Sequence, residues 1–271
     1  MKKKSHKRIF LFGGIGNFLF QISHGIELIG LKYDVTLIYL PKRFSFIWSI
    51  FGFTVQDEWL ELKLLSKELG LKIERLNFID AVFIFIFFCL RKIGVNKFFD
   101  LTLAQQCKSS SKYVVGYFQS SKHQSYETLE YLAKVIANNL KILGKIYNRN
   151  VIHFRAGDFD ENSYIKKEEL KKIKKECGEI IFTTNDKTRL YDYCLDLNLS
   201  YAINDSKSSL EDFKFMSTSS TLYLSFSTFS FWSGLICKIN NGKIIFPYDK
   251  SQLSIFYKNK NLVELFISIC K

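Results

Sequence analysis

The strongest chemical signal in the chain is an arginine that closes an apolar run. Val151-Ile152-His153-Phe154-Arg155-Ala156-Gly157-Asp158 passes from a buried-type segment into a polar elbow. The guanidinium of Arg155 is planar, permanently charged and two-pronged, so it suits a pair of phosphate oxygens. Asp158 could orient that arginine or cap the next segment, and a buried Arg–Asp pair is the structural alternative. His153 suits either a ligand contact or a core position with its ring N–H on a carbonyl. A second signal is Ser225-Phe226-Ser227-Thr228-Phe229-Ser230-Phe231-Trp232 ahead of an apolar helix. The hydroxyls of Ser227, Thr228 and Ser230, with Phe229 among them, could take an anion at the helix start or merely cap it. A third is Gly13-Gly14-Ile15-Gly16-Asn17, where Gly14 and Gly16 allow a tight turn or close backbone approach to a ligand. Last, Gly116-Tyr117-Phe118-Gln119-Ser120 offers Tyr117 and Gln119, which suit sugar hydroxyls by stacking and hydrogen bonding.

Each of these segments must be held at the end of an element. Arg8–Phe12 reads as a strand, the glycines as a turn, and Phe18–Leu31 as a helix. Val35–Leu40 and Tyr113–Phe118 read as further strands, with helices at Asp57–Gly70 and Tyr126–Leu143. The pattern restarts after Asn148-Arg149-Asn150. Strands are expected at Val151–Phe154, Glu179–Thr183, Leu222–Phe226 and Lys243–Phe246. Helices are expected at Lys166–Cys177, Thr188–Leu197, Ser209–Ser217, Phe229–Ile239 and Leu262–Ile269. Strands alternating with helices imply parallel βαβ units, whose ligands bind outside the carboxyl ends of the strands. Two α/β halves, 1–147 and 148–271, are the simplest division.

Composition narrows the class. The chain has 271 residues, 47% of them hydrophobic, with 27 phenylalanines and only two prolines. That is enough apolar material for packed cores, and it excludes collagen-like, Pro-rich and low-complexity chains. Lys and Arg number 39 against 26 Asp and Glu, a balance of +13. Nucleic-acid binders concentrate such charge, whereas here it is dispersed, so no nucleic-acid partner is expected. The short basic stretch Lys2–Arg8 could rest on an anionic membrane surface. The six cysteines show no CxxC spacing and do not cluster with histidine, so neither a metal site nor a disulfide framework is indicated. The apolar run Ala81–Leu90 is too short to span a bilayer. It is expected in the core by default, with an interfacial contact as the alternative, and the same holds for Phe44–Phe53.

Taken in order, these segments resemble the α-1,2-fucosyltransferases, glycosyltransferase family 11. Gly13–Gln21 is similar to the family's GGxGNQxFQ loop, with Phe18 in place of glutamine. Gly116–Ser120 with Lys122 resembles its GYFQS-K stretch, and His153–Asp158 its HxRRxD motif. Phe182-Thr183-Thr184-Asn185-Asp186 resembles a strand-end element. Asp212, Met216, Ser217 and Ser227–Gly234 resemble its late block. The resemblance implies a GT-B-like α/β fold: two Rossmann-like domains with a cleft between them, acceptor side in 1–147 and nucleotide-sugar side in 148–271. It implies an inverting, metal-independent fucosyltransferase that uses GDP-fucose as donor substrate and no cofactor. The acceptor would be a galactoside-type glycan or a lipid-linked oligosaccharide in surface polysaccharide synthesis. Arg155 would be the catalytic residue that holds the diphosphate. Gly14, Gly16, Asn17, His153, Asp158, Asp186, Asp212 and Ser227–Ser230 would line the donor site, and Tyr117 and Gln119 the acceptor site. A cytoplasmic protein, peripheral on the inner membrane face, is expected. The base could be His24, Asp158 or Asp186. Asp158-Phe159-Asp160 also matches the DxD signature of a metal-dependent class, a triplet that chance supplies readily. Ala156 stands where the family has its second arginine, and Phe231 replaces a tryptophan. The alternative is therefore a non-catalytic or weakly active relative that binds GDP-sugars or glycans.

Overall fold

The computed structural model describes residues 5–39, 68–92, 113–119, 121, 123–156, 164–195, 197, 201–248, 252 and 260–270. Phe44–Phe53, most of the helix expected at Asp57–Gly70, and Ser120, Lys122 and Asp158–Asp160 lie outside them. The chain divides into two units, Met1–Leu132 and Ala133–Lys271. The division falls within a helix, upstream of the expected 147/148.

In the first unit the order is β1 (His6–Leu11), α1 (Ile15–Gly30), β2 (Asp34–Tyr39), β3 (Lys72–Arg75), α2 (Phe78–Lys92), β4 (Tyr113–Val114), then α3 (Tyr126–Asn139), where the division falls. The strands form one sheet in the order β3-β2-β1-β4, with every pairing parallel. Ile9, Phe10 and Leu11 of β1 and Leu37 and Ile38 of β2 are buried. Such continuous apolar runs suit strands covered on both faces. On α1, Phe18, Leu19, Phe20, Ile22 and Leu28 are buried.

The second unit repeats the plan. It contains β5 (Tyr147–Phe154), α4 (Lys167–Cys177), β6 (Ile181–Thr184), α5 (Lys187–Leu195), β7 (Ala202–Ile203), α6 (Ser209–Ser217), β8 (Ser219–Tyr223), α7 (Thr228–Ile239), β9 (Lys243–Ile245) and α8 (Lys260–Cys270). Its sheet is again parallel, in the order β7-β6-β5-β8-β9. α7 is buried along Phe231, Trp232, Leu235 and Ile236. A Cβ on Gly234 would stand 2.7 Å from Leu224 Cδ2, so only glycine lets the helix approach that closely. The expected α/β architecture of two Rossmann-like units is present.

Both sheets reverse direction at a corresponding place. From β1 the chain builds outward through β2 and β3, then returns to the other side of β1 as β4. From β5 it builds through β6 and β7, then returns to the other side of β5 as β8. In open parallel sheets this reversal opens a crevice at the carboxyl ends of the two central strands, where ligands bind.

Candidate functional site

In the second unit, the crevice between β5 and β8 gathers the strongest of the expected residues. Arg155 follows the last residue of β5 and is half-buried. His153 is buried, and its Nδ1 meets Ser225 Oγ at 2.7 Å, which ties the end of β5 to the segment after β8. Burial, then the neighbouring Arg155 charge, pushes His153 down to about 3, so it is neutral at physiological pH. A neutral, buried histidine positions its neighbours and supplies no charge.

Ser225 leads into α7 through a chain of hydroxyls. Ser225 N donates to Ser230 Oγ at 3.0 Å, and Ser230 N donates to Ser227 Oγ at 3.1 Å. Ser227 is thus the N-cap, with extended backbone angles of φ −147° and ψ 149°. Its hydroxyl is committed to capping, and Ser230 Oγ is committed to the turn. Thr228 and Phe229, the first residues of α7, are only partly buried. Phe229 packs against His153 at 5.6 Å and against Phe213 at 5.5 Å.

Two acidic residues stand at the starts of successive helices. Asp186 Oδ1 accepts from Arg189 N at 3.0 Å and so caps α5 beyond β6. Asp212, on α6, accepts from Asn204 Nδ2 at 2.8 Å and from Ser206 Oγ. Burial raises its pKa, against the lowering effect of those two bonds. Asp212 reaches the α7 turn through its neighbour Phe213. Asp158 lies outside the described residues.

Ala156 behaves differently from a lost charge. It is fully buried in the cluster of Phe154, Tyr164, Ile165 and Phe182, and its N–H donates to Asn185 Oδ1 at 3.2 Å. An arginine here would enter apolar packing, so Ala156→Arg is expected to disturb the fold before it adds a charge to the crevice. Asn185, which sequence reasoning quoted but gave no role, ties the β6 elbow to the β5 elbow.

The first unit assembles the other expected residues in its own crevice. Gly13 has φ +95°, and a Cβ there would lie 2.5 Å from Asn17 Nδ2. Gly14 is the N-cap of α1, and Gly16 is buried in its first turn. Asn17 Oδ1 accepts from Gln119 Nε2 at 2.8 Å, which joins the loop after β1 to the loop after β4. Tyr117 packs against Phe12 at 4.9 Å. Gln21 does most of the fastening. Its Oε1 accepts from Phe12 N at 3.1 Å, and its Nε2 donates to Phe12 O at 3.3 Å and Gly116 O at 3.2 Å. Gln124 Nε2 donates to Phe20 O at 3.0 Å and Phe118 O at 3.2 Å. Phe118 holds φ +54° and stacks on His24 at 4.1 Å. Burial, then the His123 charge, pushes His24 down to about 4. In the sequence Gln21 stands within a motif that gives it no role, and Gln124 stands in none. Their signal is chemical: a buried primary amide can satisfy loop N–H and C=O groups that no ladder reaches.

No family model matches the chain, and no curated protein matches it. Among solved structures it is similar to E. coli heptosyltransferase WaaC with ADP-2-deoxy-2-fluoro heptose, at 8% identity and a TM-score of 0.40 over 90% of this chain and 91% of that one. The same enzyme with ADP gives 8% and 0.41 over 90% and 88%. A putative UDP-N-acetylglucosamine 2-epimerase from Listeria monocytogenes gives 10% and 0.41 over 99% and 90%. Likeness at this level assigns no residue a role.

Proposed function

We propose that the protein is a glycosyltransferase that takes a nucleotide-sugar donor at the β5/β8 crevice, most specifically GDP-fucose. The observation that carries this reading is the pairing, at one strand-order reversal, of Arg155 with the hydroxyl-capped start of α7. Cleaving a sugar–phosphate bond builds negative charge on the departing diphosphate. A guanidinium and a helix start at the ends of two adjacent strands can balance that charge without a metal ion. His153 holds Ser225 and therefore the turn, and Ser227 caps the helix start by accepting from Ser230 N. Asp212 and Asp186 stand at helix starts where a nucleoside can be met. Transfer proceeds with inversion in a GT-B-like arrangement, onto a galactoside-type acceptor of surface polysaccharide met through the Tyr117–Gln119 segment. Fucose rests on the ordered motifs from Gly13–Gln21 to Ser227–Gly234.

The departure at Ala156 from the family's second arginine leaves a second reading, a GDP-sugar or glycan binder that does not turn over. One experiment separates the two. Thermal shift with GDP-, ADP-, UDP- and CMP-sugars is run beside transfer from GDP-fucose to galactosides, with and without chelator. The transferase reading expects stabilisation by GDP-fucose and fucosylated product that survives chelation. Stabilisation without product selects the binder, and indifference to all four nucleotides overturns both.

A further inference from the structure

We propose that the outward face of α2 lies in the headgroup region of an anionic bilayer. One side of this helix is fastened to its sheet. Phe83 stacks on Phe10 of β1 at 6.5 Å, and buried Asp80 takes Arg8 Nη2 at 2.6 Å and Arg8 Nε at 3.1 Å. The other side carries Phe78, Ile79, Val82, Phe85 and Ile86, exposed by 82%, 71%, 41%, 51% and 50%. At about 100° per residue these five fall within an arc of roughly 120°, so they form one stripe. Scattered apolar residues on a surface need no partner, but a continuous stripe does.

Charge selects the partner. The stripe itself has no charged residue. Glu74 and Asp80, the acids nearest it in the chain, both meet Arg8. Exposed Lys72 and Arg75 precede the helix, and positions 91 and 92 in its last turn are Arg and Lys. The whole chain carries +13. An uncharged apolar stripe between basic ends matches anionic headgroups above an acyl boundary. A second copy of this chain would set like charge against like. At 15 residues α2 is too short to cross a bilayer, so it lies in the plane. This contact does not depend on which donor the second unit takes.

The test is sedimentation of the full chain with vesicles of phosphatidylglycerol and phosphatidylcholine, against phosphatidylcholine alone. Association with the anionic vesicles is expected, weakening as salt rises. The combined Phe78→Ser, Ile79→Ser and Phe85→Ser variant should lose at least tenfold in partitioning with unchanged circular dichroism. In a separate Ile79→Trp variant, tryptophan emission should move to the blue on anionic vesicles. Wild type left in the supernatant at low salt, a serine variant that binds as well as wild type, or unmoved emission overturns the proposal. So does lipid-free dimerisation that the serine substitutions abolish, which would give the stripe to a second copy.

Discussion

At the scale of single residues, Arg155 and His153 sit two positions apart and divide the work. Arg155 offers two coplanar donors at the crevice, and lysine offers a point charge on a flexible stem. Arg155→Ala and Arg155→Lys are both expected to lower transfer from GDP-fucose about a hundredfold, roughly 3 kcal/mol in the transition state. Circular dichroism should stay unchanged, because the side chain is only half-buried. Near wild-type turnover in either variant would remove the central element of the proposed chemistry. His153 makes a different prediction. The fold holds it, and His24, neutral to about 3 and about 4. The unfolded chain protonates its histidines near 6.5. Below that pH the unfolded state gains protons that the fold refuses, so stability is full above 6.5 and falls as pH drops toward 4. Each histidine contributes a slope of about 1.4 kcal/mol per pH unit in that window. Urea unfolding across the window measures it, and His153→Gln should flatten the slope. An identical slope in wild type and variant would show that His153 does not titrate abnormally.

At the scale of elements, what the sequence makes legible depends on whether burial or hydrogen bonding builds the piece. β1, β2 and α7 announce themselves as apolar runs, and the strand–glycine–helix grammar places the Gly13–Asn17 and Arg155 loops at strand ends. β3 and β7 are missed because Lys72-Ile73-Glu74-Arg75 and Ala202-Ile203 are short edge strands without a buried face to pattern them. The strand is expected only after Asn148-Arg149-Asn150, yet that stretch lies inside β5. Arg149 holds it there by donating to Phe215 O at 2.7 Å and Thr218 Oγ1 at 2.6 Å, with its guanidinium 3.6 Å from the Phe215 ring centroid. The Ala81–Leu90 run reads as core because composition cannot show which side of a helix meets its sheet, and Phe85 and Ile86 face outward. Gln21 is the residue on which the first crevice turns. Gln21→Leu leaves Phe12 N, Phe12 O and Gly116 O without their amide, at about 1 kcal/mol or more for each. A loss of about 3 kcal/mol in chemical denaturation is expected, with faster amide exchange over 12–17 and 116–119. Wild-type stability would mean that the loops close without it.

At the scale of the whole molecule, two units built on one strand order each bring a polar crevice to their central strands. The proposed function seats the nucleotide in the second unit, while the resemblance also sends Gly14, Gly16 and Asn17 of the first unit to the donor site. Saturation with GDP at about a hundred times its dissociation constant should stabilise the fold by roughly 2.7 kcal/mol. Hydrogen exchange should then slow at 153–156 and 225–230. Protection confined to the first unit would reverse the assignment of donor and acceptor sides.

The amide of Gln21 also imposes an order on synthesis. Its bond to Gly116 O spans 95 residues, and the one from Gln124 to Phe20 O spans 104. A ribosome delivers the glycine loop early but its fastenings late, so the N-terminal crevice cannot be set when its own residues emerge. The β1–β4 pairing carries the same delay, because Arg8 and Ile9 meet Tyr113 and Val114. The nascent first unit therefore passes through a period in which the β4 side of β1 is still unpaired.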